Sequence, residues 1–286
     1  MRRGLFIALG TILAFACLAV AQVRNRNRIG PGLAGPVRFV RIERTSFSKK
    51  GNEFVEGPRV LTETMSVDPQ WRRFERTYYN ADGSVLKMDV NTFDADGNQT
   101  EFSGYNGEGG LIHKLVYVYD DRKKLIEYLA YKPDGTLLNR TIAIRPVPGK
   151  VTEITNYNGD GSLGSRAVNT FAVAKQGERI DSSVYNEDGS LAEKRVLVAD
   201  GKGRIERFEY KADGTLVARF VDTLDSERFL IEGAEYTADG SIRRKETFDR
   251  EFDAQGNWIK ETKSEWDAKA SVLVPTGISY QIITYY

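Results

Sequence analysis

Residues able to do nucleophilic or metal chemistry are scarce in this 286-residue chain, which holds one histidine and one cysteine. His113 lies within "LIHKLVYVY", without a cysteine or second histidine beside it. A Ser or Cys nucleophile would lack an oriented base, and no cluster has zinc-ligand spacing. Neither a phosphate-cradling P-loop nor a dinucleotide glycine pattern is present, so no cofactor is expected. The abundant reactive group is the carboxylate, with 40 Asp and Glu. Two facing carboxylates are what a glycan hydrolase needs, and a carbohydrate-active enzyme is the alternative to a non-enzymatic reading.

The acids fall into a pattern. Asp82, Glu108, Asp134, Asp160, Asp188, Asp213 and Asp239 each stand directly before a glycine, in heptads such as "YNADGSV", "YKPDGTL" and "YTADGSI". The stretch from Asn156 to Gly161 imitates the opening of a calcium-binding EF-hand loop. That loop needs a bidentate Glu at its twelfth place, where Ala167 stands; the turn at Gly97 runs from Thr92 to Ser103 and fails too. No metal site is assigned. With Glu187, the turn acids outnumber Lys132 and Lys211 along what would be one sheet edge, an acidic strip that turn chemistry explains first.

The elements carrying these acids repeat. Each heptad opens on tyrosine, at Tyr79, Tyr105, Tyr131, Tyr157, Tyr185, Tyr210 and Tyr236, spaced 26, 26, 26, 28, 25 and 26. Four residues later comes glycine, at Gly83, Gly109, Gly135, Gly161, Gly189, Gly214 and Gly240, and two after that an aliphatic. Self-similarity at a fixed period signals a repeat architecture. Asn80-Ala81-Asp82-Gly83 fits a type I turn whose Gly takes the left-handed conformation and closes a three-residue hairpin loop. Asn80 then pairs with Ser84 and Tyr79 lies opposite Val85. A looser series ("FDADGN", "YDDRKK", "VADGKG", "FDAQGN") lies midway, so each repeat holds two turns and two strands.

Runs such as "SVLKMDVNTF" have strand composition, and no long helical period appears outside the N-terminus. The spacing predicts an all-β antiparallel meander of about sixteen strands, coiled as one strongly curled sheet or open superhelix. Residues 37–286 are read as one repeat domain with atypical, capping ends.

The N-terminus reads as a secretory signal peptide over residues 1–21, with cleavage between Ala21 and Gln22. A lipid-bearing Cys17 and an uncleaved anchor are the rival readings. Residues 22–36, with Arg24, Arg26 and Arg28, read as a flexible basic Gly/Pro linker. Cleavage removes Arg2, Arg3 and the only cysteine, leaving 39 basic against 40 acidic residues and no disulfide. The balance excludes a nucleic-acid footprint, and no membrane span remains. An outer-membrane barrel needs a wholly apolar face, whereas "SIRRKETFDREF" carries charge on both.

"FDADGN", "YDDRKK" and "FDAQGNW" resemble the tyrosine-aspartate (YD) repeats of Rhs-type proteins, and "YxxDGSL" resembles MORN-variant repeats of bacterial exported proteins. The resemblance covers nearly all of residues 47–258. It implies a β-hairpin repeat, often extracellular, with scaffold, shell or carbohydrate-contact roles. Neither the self-cleavage signature of large Rhs shells nor a C-terminal toxin region is present. The expectation is an exported, non-enzymatic scaffold or binding module of a bacterial envelope or exterior, periplasmic or extracellular. Its partner is unknown, a cell-surface glycan or an envelope protein being candidates. The seven tyrosines form either a packing stripe or a row on which sugar rings stack.

Overall fold

The computed structural model describes residues 33–51, 53–174 and 177–286. Regular structure among them is entirely strand: β1 Val37–Lys50, β2 Glu53–Glu56, β3 Val60–Val67, β4 Arg73–Tyr79, β5 Val85–Phe93, β6 Gln99–Asn106, β7 Leu111–Tyr119, β8 Leu125–Tyr131, β9 Leu137–Val147 and β10 Val151–Asn158. These are followed by β11 Leu163–Ala174, β12 Gly177–Tyr185, β13 Leu191–Ala199, β14 Arg204–Lys211, β15 Leu216–Leu224, β16 Leu230–Thr237, β17 Ile242–Phe252, β18 Trp258–Asp267 and β19 Val272–Tyr285.

From β3 onward each strand is a hydrogen-bonded neighbour of the next, the meander expected from the repeat. The pairing order then departs from expectation. β1 pairs with β19 from Val37 to Ser46 and with β3 from Phe39 to Arg44, while its far end, Phe47–Lys50, pairs with β2. Eighteen of the nineteen strands, all but β2, therefore form a ladder that closes on itself. The expected open sheet or superhelix of about sixteen strands with capping ends is corrected on this point. The ends do not cap; they join.

The physical reason lies in the edges. β1 and β19 are fourteen residues each, and a free edge that long presents a row of unpaired N–H and C=O groups. Pairing them satisfies both rows. An even number of strands keeps the closing pair antiparallel. The side-chain faces also match across the seam: Val40 stands opposite Ile283 on one side and Met65 on the other. The short β2 bears Glu53 and Glu56 at its ends, a charged and therefore poor template for further pairing.

The heptad turn behaves as its chemistry demands. Asn80 N–H donates to Ser84 O (2.9 Å), Gly83 N–H donates to Asn80 O (3.0 Å), and Tyr79 pairs with Val85 across a bulge at Tyr78/Tyr79. The same two bonds recur in all seven heptads. All seven turn glycines lie at φ between +80° and +87°, where a side chain is strained.

The chain falls into two compact units. One, the seam unit, holds the described residues up to Tyr117 together with Ala130–Thr136 and Glu246–Tyr286. Its apolar centre is Leu33, Val37, Val40, Met65 and Val67, with Trp71, Phe74, Ile283 and Tyr285 against it. Residues 33–36, the end of the stretch expected to be a flexible linker, are held in this unit. Buried Asn257 accepts from Ala34 N–H (2.7 Å) and donates to Ala34 O (2.8 Å) and to the Tyr285 hydroxyl (2.8 Å). Tyr285 in turn donates to Asp253, and Tyr286 N–H donates to Pro36 O (2.8 Å). The rest of the linker and the signal-peptide expectation, including Ala21 and Gln22, lie outside the described residues.

The other, the repeat unit, holds Val118–Leu129 and Leu137–Lys245. One side of its ladder is buried around Ala143, Ile154, Ala167 and Ile180. Polar residues there are bonded in series: Thr141 donates to Asn156 Oδ1 (2.5 Å), and Asn156 Nδ2 donates to Ser165 Oγ (2.9 Å). Such a chain fixes register, because slipping by one residue would leave each member buried without a partner.

Candidate binding face

Strand register sorts the side chains onto two faces. The heptad tyrosines share one, which we call the tyrosine face. In the repeat unit three of them sit between two neighbours: Tyr157 between Leu163 and Arg140, Tyr185 between Leu191 and Arg166, and Tyr210 between Leu216 and Lys194. Tyr236 stands opposite Arg219, whose guanidinium lies 5.6 Å from its ring centroid. In the seam unit Tyr79 stands opposite Val85, and Tyr105 between Leu111 and Met88. All seven tyrosines, Tyr131 included, are half-buried.

A third member of this face escaped the sequence reading. Four residues before every heptad tyrosine is an acid: Glu75, Glu101, Glu127, Glu153, Asp181, Glu206 and Glu232. Nine residues after all but the first is a base: Lys114, Arg140, Arg166, Lys194, Arg219 and Lys245, with Met88 in the first. The strands bring acid and base together across a hairpin. Glu101 pairs with Lys114 (2.6 Å), Glu153 with Arg166 (2.6 Å), Glu206 with Arg219 (2.7 Å), Glu232 with Lys245 (2.9 Å), and Glu127 with Arg140. Asp181 instead takes Arg179 (2.7 Å). A spacing of thirteen, half the repeat, was the signal in the sequence.

These pairs tune one another. The hydrogen bond that Arg140 donates to Glu127, and more weakly the nearby Tyr157, hold the Arg140 guanidinium above its usual pKa; Glu153 does the same for Arg166. The arginines are close to half exposed, so these are solvated ion pairs. In sum the face offers aromatic rings flanked by charges that are mostly paired.

The rim acids serve the turns. Asp82 Oδ1 accepts from Ser84 N–H (2.9 Å) and Ser84 Oγ–H (2.6 Å), and Asp134, Asp160 and Asp188 repeat both bonds. Those bonds hold the four carboxyls below the usual aspartate pKa. In the Asn106 turn Asn106 Oδ1 accepts from Glu108 N–H (3.1 Å) and Gly110 N–H (2.7 Å). Carboxylates so engaged are poorly placed to hold calcium. Among the described residues no group of three or more His, Cys, Asp or Glu stands together as a metal site.

His113 is likewise built in. It lies opposite Gly104 and stacks on Phe102 at 5.4 Å between centroids. A Cβ on Gly104 would stand 2.7 Å from its Cε1. The carboxylates nearest to a hydrolase-like pair are Glu193 and Glu209, on the face opposite the tyrosines. Burial pushes the Glu193 carboxyl up in pKa. Arg195, however, is ion-paired to Glu193, and Glu209 is ion-paired to Arg207 (3.5 Å), so each carboxylate already has its own cation.

No protein-family model matches the chain, and no curated protein matches it. Among solved structures it is similar to a porin-like protein from Bacteroides uniformis, at 10% identity over 87% of this chain and 97% of that one, with a TM-score of 0.41. A porin-like protein from Bacteroides vulgatus aligns at 8% identity over 85% and 97%, TM-score 0.33. A mutant of the Rh. blastica porin aligns at 7% over 86% and 100%, TM-score 0.32.

Proposed function

We propose that the chain is an exported, non-enzymatic β-repeat protein of a bacterial envelope or exterior, serving as a binding module or scaffold. The supporting observation is the tyrosine face, where acid, tyrosine and base recur at fixed, partly exposed places. Turn chemistry accounts for the rim and for the tyrosine–aliphatic pair that flanks it, and not for the acid and base farther along the strands. The YD and MORN-variant resemblance enters this reading as hairpin grammar only. For the test, the full chain is expressed in a bacterium with its leader. The expected product is a mature protein beginning at Gln22, in the periplasm or medium. An intact Met1 leader in the cytosol, or lipid on Cys17, would overturn it.

A second reading has one observation in its favour: the ladder closes, as membrane barrels do. A barrel in lipid needs an apolar band on its outer face. Here the tyrosine face carries the ion pairs. The opposite face carries Arg195–Glu193, Arg250–Glu261 (2.5 Å) and Lys263–Glu246 (3.0 Å). The mature chain should therefore stay soluble without detergent, and flotation with liposomes would favour the barrel.

A further inference from the structure

We propose that the tyrosine face of the repeat unit binds a neutral, linear polysaccharide laid across its strands, over Tyr157, Tyr185, Tyr210 and Tyr236. This rests on the binding-module reading and names its ligand class.

The first argument is which positions repeat. A repeat protein conserves among its units whatever its packing requires, and lets solvated positions drift. Here partly exposed positions are the constant ones. At −4, 0 and +9 from the heptad tyrosine stand acid, tyrosine and, in six units of seven, base. Three residues before the tyrosine, on the opposite face, stand Ile154, Ser182, Arg207 and Gly233 in the same four units. Cross-strand ion pairing alone does not demand this. Exposed pairs contribute little to stability, and Asp181 takes Arg179 without disturbing its hairpin.

The second argument is spacing. Successive tyrosines lie two strands apart, about 9.6 Å. A surface that presents the same groups at one interval suits a partner that repeats at a similar interval, as a sugar polymer does.

The third is charge. Arg140, Arg166, Arg219 and Lys245 are each ion-paired to the glutamate thirteen residues earlier, so most of the charge is neutralised locally and the face holds donors and acceptors side by side. Polyanions such as nucleic acid would meet no basic stripe, and polycations no acidic one. Hydroxyl groups, donor and acceptor at once, are served by both members of each pair. The half-buried rings offer apolar faces beside polar phenols.

The test uses the mature chain against soluble neutral polysaccharides of several linkages, their acidic counterparts, and size-graded oligosaccharides, read by calorimetry. At least one neutral polymer should bind, with affinity rising with oligosaccharide length and little change in high salt. Tyr185→Phe should keep binding. Tyr185→Leu should weaken it roughly two- to tenfold, and adding Tyr210→Leu should weaken it again by a similar factor. Thermal melts of each variant separate lost contact from lost fold, because Leu still packs beside Leu191. Met88→Arg completes the first unit and leaves the four sites untouched, so it should not weaken binding. The proposal is overturned if no neutral polymer binds, if the Leu variants bind as the parent does, or if an acidic polymer binds more tightly with steep salt dependence. A chain that is exported and soluble yet binds no polysaccharide overturns this inference alone; a chain that binds but is not exported overturns only the location.

Discussion

Along the strands of the repeat unit, alternate residues live under different rules. On the tyrosine face, Tyr157, Tyr185, Tyr210 and Tyr236 follow one another with Arg, Arg, Lys and Arg opposite them. On the other face, the residues just before those tyrosines are Asn156, Val184, Glu209 and Glu235. Asn156 is bonded to Thr141 and Ser165; Glu209 stands opposite Arg195 on one side and Ala218 on the other. Every slot on that face has its own neighbours. The repeat is thus a property of the rim and of one face, while the other face is an ordinary aperiodic interior. Backbone grammar is repeated; side-chain packing is not.

If the backbone is the repeated unit, whole repeats should be removable and half repeats should not. Deleting residues 211–236 removes β15 and β16 and joins Tyr210 to Thr237, restoring the heptad "YTADGSI". Sixteen strands remain in the ladder, so β19 still meets β1 antiparallel and side-chain faces are kept. This variant should fold with one cooperative melt at a lower temperature. Deleting residues 211–223 removes about one strand, leaves an odd number, and would force one parallel pair at the closure. It should aggregate. Equal behaviour of the two in circular dichroism and size-exclusion chromatography would mean that the ladder is not the unit of folding.

The seam tests the aperiodic side of the comparison, since nothing in the repeat supplies a second Asn257. Its side chain is almost fully buried and satisfies both backbone groups of Ala34. Asn257→Ala leaves those groups and the Tyr285 hydroxyl short of partners, with an expected cost of about 2–4 kcal/mol. Asn98, the corresponding residue of the turn at Asp94, has its backbone N–H and its Nδ2 on Asp94 (both 2.9 Å). Asn98→Ala should cost under about 1.5 kcal/mol. Urea unfolding of the two variants measures the difference, and equal losses would remove the distinction between seam and repeat.

Glycine at the heptad turn probes the backbone alone. A Cβ on Gly161 would meet nothing within 4 Å, yet its φ is +86°. Gly161→Val therefore adds strain without a clash and should cost about 1–2 kcal/mol. Gly189→Val and Gly214→Val should cost the same, because φ is +80° and +87° there with equally open space. Unequal losses among the three would show that the turns are not interchangeable.

How much of this was legible follows the same division. The heptad announced its turns down to the pairing of Asn80 with Ser84, because turn type depends on a few adjacent residues. The meander followed from the spacing. Closure did not, because it depends on residues such as Val40 and Ile283 that lie at opposite ends of the sequence and carry no turn motif between them. Strand count fell short of nineteen mainly at the ends, where β1 and β2 lack the repeat. The glutamate–base ladder was present in the sequence as a spacing of thirteen. It emerges only once the register shows that thirteen residues bridge a hairpin onto one face.

The smallest expected effect sharpens the contrast between turns. Asp239 is held at a pKa of about 2 by the Thr237 hydroxyl and the Ser241 N–H, against 3.8 for a free aspartate. Asp82, Asp134, Asp160, Asp188 and Asp213 are lowered for the same kind of reason, first by the Ser or Thr two residues on. A carboxyl whose folded pKa lies below its unfolded one stabilises the protein above the unfolded value and loses that contribution as pH falls through the folded one. The melting temperature should therefore fall between about pH 4 and pH 2. The Asn106 turn is the internal control, since an amide oxygen does there what carboxylates do elsewhere, and an amide does not titrate. Replacing the six aspartates by Asn should keep the turns, lower the melting temperature slightly at neutral pH, and flatten its decline in acid. A decline as steep as the parent's would place the acid-sensitive groups among the ion pairs of the strands instead of the turns.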